Sequence, residues 1–410
     1  MAAQLARSAT CALLLTRAYA TMANLITLTS YVDSMGARAL DGSPYEIWWA
    51  PATSPENATK WVIDIQGGAW CQSVAACAAR AWSPSNCYLG SSNASCFNAN
   101  SERCANKAPA MDFECLPACN GARWCGGLFV NSSQTNPLTH DWHQVLLPYH
   151  DGQSFTGGAE APTTTTFNGE EVELWFRGHA NFRAAIDWLV KNAQLGKATE
   201  VGLTGNSAGG LATLYHADEL TAALPGTRVW AAPDSGFFYG DDAAFPSWRQ
   251  NLLNMVAMSN GTCGLDASCV AAQRAAGRDP AECALPEVVA PFVTTPLFIL
   301  QGRYDPALTS IASGENGRNA SHVNAIGTHV LGLLQKTILA SPRNAAFVTA
   351  CAEHCGQWSQ GVDGDFNVTV GKMTAVPALI AWRAGAAQAH EWLQAPGDRY
   401  PCTDCCTGGQ

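Results

Sequence analysis

The pentapeptide 205–209, Gly-Asn-Ser-Ala-Gly, constrains the fold more than any other feature of this sequence. Residues 200–204 predict a strand directly before it, and residues 210–224 predict a helix directly after it. A serine between two glycines fits a sharp strand-to-helix turn, where larger flanking side chains would clash. Such a turn would expose Ser207 as a nucleophile and aim the Ala208 N–H at a negatively charged oxygen.

The rest of the chain also alternates short apolar strands with helical patterns, which favours an α/β fold with a mostly parallel sheet covered on both faces. The hydrophobic fraction of 47% is ample for a large core. The predicted strands are 61–66, 144–148, 200–204, 228–232, 295–300 and 345–350, and the predicted helices include 182–192 and 210–224. Ligands of such folds bind at loops that follow the carboxyl ends of strands.

Cysteine usage indicates an oxidising compartment, because 17 cysteines are far more than an intracellular enzyme ordinarily carries. Cys11 lies in residues 1–23, which predict an imperfect signal peptide. The other cysteines fall in three blocks, and the stretches 71–125 and 260–285 predict disulfide-pinned insertions. Residues 24–410 are therefore predicted to form one catalytic domain that is secreted into the extracellular space or cell wall.

Six Asn-x-Ser/Thr sites agree with secretion: Asn57, Asn93, Asn131, Asn260, Asn319 and Asn367. No apolar run beyond the amino terminus is long enough to predict a membrane span. The net charge of −10, without a Lys/Arg cluster, argues against a nucleic-acid partner. Cys402 and Cys405 have zinc-ligand spacing but lack a second pair of ligands, so no metal site and no cofactor are predicted.

A nucleophilic serine needs a histidine base and a carboxylate that orients it, and in this class of fold the order along the chain is Ser, acid, His. Asp305 and His354 each follow a predicted strand directly, which makes them the predicted acid and base. Asp234 is the alternative acid, although its strand comes one element earlier. The other histidines after the predicted helix are assigned to the surface, a helix and the carboxyl-terminal segment, respectively: His322, His329 and His390.

The Gly-rich segment 67–71 follows the predicted strand 61–66 and supplies candidates for an oxyanion hole. Small residues let the backbone approach a substrate, so we expect the N–H groups of Gly68 or Ala69 to act with that of Ala208. Trp70 stands beside this loop and could line a sugar or acyl site, although most tryptophans simply pack in cores.

Several short motifs, in the same order along the chain, resemble the pectin acetylesterase family, which includes the Notum-type lipid deacylases. Residues 67–71 resemble its Gly-Gly-Gly-Trp-Cys, and residues 205–210 resemble its Gly-x-Ser-Ala-Gly-Gly. The other matching segments are 149–157, with Asp-Gly and Ser-Phe-Thr-Gly, Phe-Arg-Gly at 176–178, Asp-Ser-Gly-Phe-Phe at 234–238, Tyr-Asp at 304–305 and His-Cys at 354–355.

The resemblance implies an α/β-hydrolase-like fold, an oxyanion hole and a secreted disulfide framework. It implies the triad of Ser207, Asp305 and His354, and it gives Asp234 a structural role. Three departures concern substrate preference more than chemistry: Ala69 replaces the family's third glycine, Asn206 replaces a small residue or cysteine, and Gly356 replaces the glutamine usual in plant members.

The sequence therefore predicts a monomeric serine carboxylesterase that removes O-acetyl groups from a pectin-like polysaccharide through an acyl-serine intermediate. Three alternatives stay open. The first is a longer-chain lipid or protein deacylase of the Notum type, and the second is a serine carboxypeptidase, which would lack the motifs above. The third is a non-catalytic carbohydrate-binding protein on a hydrolase fold.

Overall fold

The computed structural model describes most of the chain. The described residues are 22–84, 87–92, 110–112, 127–129, 133–134, 136–240, 246–313, 319–355, 368–370, 372–385, 391–394 and 398–402. Most of the predicted signal peptide and of the insertion 71–125 lies outside these ranges, as do His390, Cys405 and the glycosylation sites at Asn93, Asn131 and Asn367.

A ten-stranded sheet forms the centre of the described structure, with the order β12-β11-β10-β9-β8-β3-β5-β2-β1-β4. A separate hairpin is formed by β6 and β7. The strands are β1 Met22–Thr27, β2 Glu46–Ala50, β3 Lys60–Ile65, β4 Ala110–Asp112, β5 His143–Leu147, β6 Thr163–Phe167, β7 Glu170–Leu174, β8 Glu200–Asn206, β9 Arg228–Asp234, β10 Phe298–Gly302, β11 Ala345–Thr349 and β12 Glu391–Leu393.

The part of the sheet from β5 through β3, β8, β9, β10 and β11 to β12 is parallel. All six strands predicted from apolar runs belong to it, so the predicted mostly parallel α/β fold is confirmed. The antiparallel edge of β2, β1 and β4 did not stand out in the sequence. Strand β1 contains Met22 and Ala23, the last two residues of the predicted signal peptide, which pair with β4.

Ten helices lie among the described residues and cover the sheet. They are α1 Ser30–Met35, α2 Val74–Trp82, α3 Gly178–Asn192, α4 Ala208–Ala223, α5 Pro246–Met258, α6 Ala267–Ala275, α7 Pro286–Val289, α8 Pro306–Ser313, α9 Ala320–Thr337 and α10 Ala375–Arg383. Alternate residues of each central strand enter two different cores. Ile63 of β3 belongs to the core cluster that also includes residues of α3, α4 and α9, whereas its neighbour Val62 belongs to the cluster that includes residues of α10.

The insertion 260–285 is pinned by a disulfide between Cys269 on α6 and Cys283 in the following 3₁₀ turn. A second disulfide joins Cys71 to Cys77. Cys263 and Cys355 are free thiols, so the cysteines do not all pair. Within the described ranges, no helix combines the length and apolarity needed to cross a membrane.

Candidate active site

Ser207 lies at the tip of a tight turn between β8 and α4. Its backbone has φ 55° and ψ −123°, a conformation that non-glycine residues rarely adopt, and its N–H donates to the Asp234 carbonyl oxygen at 2.9 Å. A Cβ on Gly205 would lie 2.5 Å from the Gly209 carbonyl oxygen, and one on Gly209 would collide with the Ile65 carbonyl oxygen. Both glycines of the pentapeptide are therefore required by close backbone approach.

A continuous hydrogen-bonded path runs from Ser207 through His354 to Asp305. The Ser207 hydroxyl is 2.9 Å from His354 Nε2, and His354 Nδ1 is 2.8 Å from Asp305 Oδ2. These side chains come from loops at the carboxyl ends of β8, β11 and β10, which are close because the strands are parallel and nearly adjacent. Ser207 is 8% exposed and Asp305 is fully buried, so the path leads from the solvent edge into the core.

Asp305 is held as a hydrogen-bond acceptor from several sides. Its Oδ1 accepts the backbone N–H of Ala307 at 2.8 Å and that of Leu308 at 3.3 Å, at the start of α8. Its Oδ2 accepts the Gln301 side-chain amide at 3.2 Å in addition to the contact with His354. Each carboxylate oxygen therefore has at least two neighbours that can donate, which suits an ionised carboxylate.

The surroundings of His354 favour its protonated form. Burial lowers the pKa of His354, but the hydrogen bond and charge of Asp305, with a further contribution from the charge of Asp234, outweigh it. The net effect places the pKa of His354 above its ordinary value of 6.5. The imidazole can thus accept a proton readily, and it is neutral only at a correspondingly higher pH.

The Gly-rich loop after β3 lies against the serine turn. The Gly67 N–H donates to Asn206 Oδ1 at 2.9 Å, and Ala69 adopts a left-handed conformation with φ 56°. The N–H groups of Gly68, Ala69 and Ala208 donate to no other group within the described part of the chain. They are therefore available to an oxygen of a substrate, as an oxyanion hole requires.

Trp70 is half-buried and contributes to an aromatic wall beside His354. Its ring lies edge-on to Phe238 with centroids 4.8 Å apart, and Phe238 in turn lies edge-on to His354 at 5.8 Å. The Trp70 indole N–H donates to Ser154 Oγ at 2.7 Å, and Ser154 donates to the Ala208 carbonyl oxygen at 2.7 Å. Trp70 is thus fixed in place by the same residue that contacts the first turn of α4.

The alternative candidates lie elsewhere. Asp234, at the end of β9, accepts from the Ser235 hydroxyl at 3.0 Å, whereas both ring nitrogens of His354 are occupied by Ser207 and Asp305. His322 and His329 lie on helix α9. The structure thus brings together the three residues that the sequence selected, and it places Asp234 beneath the serine turn.

A second group of carboxyl residues lies beside and below the candidate catalytic path from Ser207 to Asp305. Burial, together with the charge of Asp234, raises the pKa of Asp64 to about 7. The same two causes raise the pKa of Glu353, the residue before His354, to about 7. Asp234 therefore influences the protonation of Asp64, Glu353 and His354 at once.

Another polar cluster lies on helices α3 and α4. His179, His216 and Glu219 place one nitrogen or oxygen each within 4.8 Å of one another. Among the described residues, this is the group whose spacing could hold a metal ion. It is separate from the catalytic path, because none of its members contacts Ser207, Asp305 or His354.

The fold is that of an α/β-hydrolase, because a mostly parallel sheet carries a serine on a sharp turn beside a histidine and an aspartate. The relatives of the chain show that the protein is a carboxylic ester hydrolase. The model of the Pectinacetylesterase family matches residues 17–113 and 96–407. The chain belongs to this family.

Individual relatives agree with that assignment. Pectin acetylesterase 11 of Arabidopsis thaliana is 28% identical over 385 residues, which cover 87% of this chain and 86% of the relative. Palmitoleoyl-protein carboxylesterase NOTUM of Schmidtea mediterranea is 23% identical over 80% of this chain and 57% of the relative. The solved structure of the Wnt deacylase Notum from Drosophila has the same fold, with a TM-score of 0.68, 20% identity and coverage of 90% of this chain and 95% of the other.

Several supporting residues were not identified from the sequence. Ser154 bridges Trp70 and helix α4, and Arg80 donates to the Gly68 carbonyl oxygen at 2.6 Å. The matching segments 149–157 and 176–178 pointed to this region without giving a role. In the structure, Asp151 Oδ2 accepts two backbone N–H groups of the first segment, and Arg177 donates to three carbonyl oxygens that surround the second.

Proposed function

We propose that this protein is a secreted serine esterase that removes O-acetyl groups from a pectin-like polysaccharide through an acyl-Ser207 intermediate. The observation that carries the proposal is the path of hydrogen bonds from Asp305 through His354 to Ser207, at 2.8 and 2.9 Å. The serine hydroxyl points at a base that is itself oriented by a buried carboxylate, which is the arrangement that activates a serine.

In the first step, His354 Nε2 takes the hydroxyl proton as Ser207 Oγ attacks the ester carbonyl carbon. The developing oxyanion accepts hydrogen bonds from the free N–H groups of Gly68, Ala69 and Ala208, each of which can contribute about 10²- to 10³-fold in rate. Asp305 stabilises the imidazolium that forms. The carbon–oxygen bond to the sugar then breaks, and His354 returns the proton to the leaving alkoxide.

In the second step, His354 takes a proton from water as the water oxygen attacks the acyl-Ser207 carbonyl carbon. The same N–H groups stabilise the second oxyanion. Collapse releases acetic acid, which ionises in water to acetate, and returns the proton from His354 to Ser207 Oγ, which restores the starting state. Both steps use only side chains and backbone of this chain.

The relatives support an acetyl ester of a polysaccharide as the substrate, because those matched over most of their length are named pectin acetylesterases. Secretion is supported by the disulfides Cys71–Cys77 and Cys269–Cys283. The potential glycosylation sites Asn260 and Asn319 are exposed, as glycan attachment requires.

A second candidate is the removal of a longer acyl chain from a lipid or protein. It is favoured by the palmitoleoyl-protein carboxylesterases among the relatives and by the Notum fold. The two candidates share the same chemistry and differ in the acyl chain that the site accepts. An acyl-chain series therefore distinguishes them.

The test is hydrolysis of chromogenic esters from acetyl to palmitoyl, and release of acetate from acetylated pectin, by wild type and Ser207→Ala. Ser34→Ala, an exposed serine on helix α1, serves as the matched control. We expect activity on acetyl esters and on acetylated pectin. We expect Ser207→Ala to lose about 10⁴-fold or more of kcat and Ser34→Ala to retain wild-type activity.

The results separate the possibilities. Preference for long acyl chains, lost in Ser207→Ala, would keep the esterase mechanism but replace the polysaccharide substrate by a lipid or acylated protein. Wild-type and Ser207→Ala proteins that hydrolyse nothing would overturn the enzyme mechanism and favour the non-catalytic carbohydrate-binding alternative. Equal activity of the two proteins would place the nucleophile elsewhere.

A further inference from the structure

Glu219 bridges two histidines on neighbouring helices. His179, in the first turn of α3, places Nε2 2.9 Å from Glu219 Oε1. His216, one turn before Glu219 on α4, places Nδ1 3.0 Å from Glu219 Oε2. The Glu219 carboxylate thus contacts one imidazole nitrogen from each of the two helices.

A neutral His216 ring has one N–H, but both of its nitrogens face hydrogen-bond acceptors. Its Nδ1 faces the Glu219 carboxylate, and its Nε2 lies 3.2 Å from the Phe155 carbonyl oxygen. A carboxylate and a carbonyl oxygen only accept, whereas a neutral imidazole carries one N–H. One of the two contacts would therefore set a lone pair against an acceptor, so this arrangement requires a further positive charge.

A proton or a metal ion could supply that charge. The His216 side chain is completely buried, so its two ring nitrogens face Glu219 and the Phe155 carbonyl rather than solvent. A metal ion on Nδ1, with the Nε2 hydrogen donated to a backbone carbonyl, is the usual geometry of a metal-binding histidine. We propose that His179, His216 and Glu219 bind a divalent transition-metal ion of the Zn²⁺ type.

The neighbouring groups fit a metal of this type. Two imidazoles and one carboxylate match the donors that Zn²⁺ takes, whereas Ca²⁺ and Mg²⁺ prefer sites made of oxygen. The thiol of Cys263 is free and exposed, and it lies near His179 as a soft donor at the edge of the cluster. Arg183 approaches Glu219 Oε1 only to 3.9 Å, and its side chain is 59% exposed, so it can turn to solvent.

Binding at this site would stabilise a segment next to the oxyanion loop. The Phe155 carbonyl that contacts His216 belongs to the residue after Ser154, and the Gly157 carbonyl accepts the backbone N–H of His179 at 3.0 Å. Ser154 and Phe155 both have positive φ angles, 53° and 59°. The metal would thus fix a strained segment that holds Trp70, and its role would be structural.

The experiment measures Zn²⁺ binding directly. Full-length protein is stripped with a chelator, desalted and titrated with ZnCl₂ by calorimetry, and the metal content is measured after dialysis. We expect one Zn²⁺ per chain and a rise in Tm of about 4 °C at saturation. Failure of the wild type to retain Zn²⁺ would overturn the proposal and leave a buried imidazolium at His216 as the explanation.

Two variants locate the site. Glu219→Gln keeps the shape of the side chain and removes a charged ligand, and we expect it to weaken Zn²⁺ binding by about 100-fold or more. Glu173→Gln, an exposed change on strand β7, is the matched control and should bind Zn²⁺ like the wild type. Equal binding by both variants would overturn the assignment of these ligands. Circular dichroism verifies that each variant is folded, so that lost binding is not lost structure.

Discussion

Two buried aspartates, one on a strand of the central sheet and one in the loop after a strand, have opposite surroundings. Asp305 follows β10, and both of its oxygens accept hydrogen bonds from backbone or side-chain groups. Asp64, on β3, has a buried side chain whose Oδ2 has no hydrogen-bond partner within the described residues. The comparison shows that burial alone does not define the surroundings of a carboxyl group. The donors around it decide whether its charge is stabilised.

The largest expected effect concerns Asp305. Asp305→Asn keeps the size of the side chain but presents an amide to His354, so the imidazole loses both its charge partner and its orientation. We expect kcat for an acetyl ester to fall by about 10⁴-fold. The same measurement on Asp33→Asn, an exposed change on α1, gives the control. A loss below about tenfold would mean that another carboxylate orients His354.

The next effect is on stability and concerns Asp64. Because its pKa rises from 3.8 to about 7 on folding, the unfolded chain releases this proton first. Stability of the wild type should therefore fall from about pH 4 to about pH 7 relative to Asp64→Asn, which has no proton to lose. We expect a relative change on the order of 2–4 kcal/mol in the free energy of unfolding, measured in urea across this range.

If the difference between the wild type and Asp64→Asn did not change with pH, the contrast with Asp305 would be wrong. Asp64 would then be ionised in the folded protein as easily as in the unfolded chain. The prediction would also be contradicted if the wild type lost stability relative to Asp64→Asn as the pH fell. That sign belongs to a carboxylate that its neighbours stabilise.

The smallest expected effect is a pH shift caused by Asp234, whose charge acts on Asp64 and also on His354, the partner of Asp305. The charge of Asp234 raises the pKa of both Asp64 and His354. Only neutral His354 can take the proton of Ser207, so activity should rise with pH through the raised pKa of His354. Asp234→Asn should move this acidic limb of kcat/KM to lower pH, by less than about one pH unit. A shift to higher pH would show that Asp234 does not act through its charge.

The hydrogen-bonded path of Ser207, His354 and Asp305 could be predicted because its signals are local. Ser207 lies in a pentapeptide whose glycines are required by backbone contacts, and Asp305 and His354 each follow an apolar run that became a strand. The predicted helix 210–224 begins two residues earlier in the structure, at Ala208, because the turn consists of Ser207 alone. The parallel strands were equally accessible, since strands buried on both faces are continuous apolar runs.

The contacts between distant segments could not be predicted in the same way. His179 and Glu219 are forty positions apart, and only the packing of α3 on α4 brings them together. Ser154 and Ala208 are separated by fifty-four positions. Strand β1 was not predicted because its first two residues were assigned to the predicted signal peptide, and only its pairing with β2 and β4 reveals it. In each case the missing information is a contact between distant segments.

Helix α4 begins at the residue after Ser207 and carries His216 and Glu219 farther along its length. At about 1.5 Å per residue, His216 lies about 14 Å along the axis from Ser207. The contacts of His216 with Glu219 and Phe155 hold the middle of this helix. A change in these contacts would therefore reach Ser207, the proposed nucleophile, through the backbone of α4.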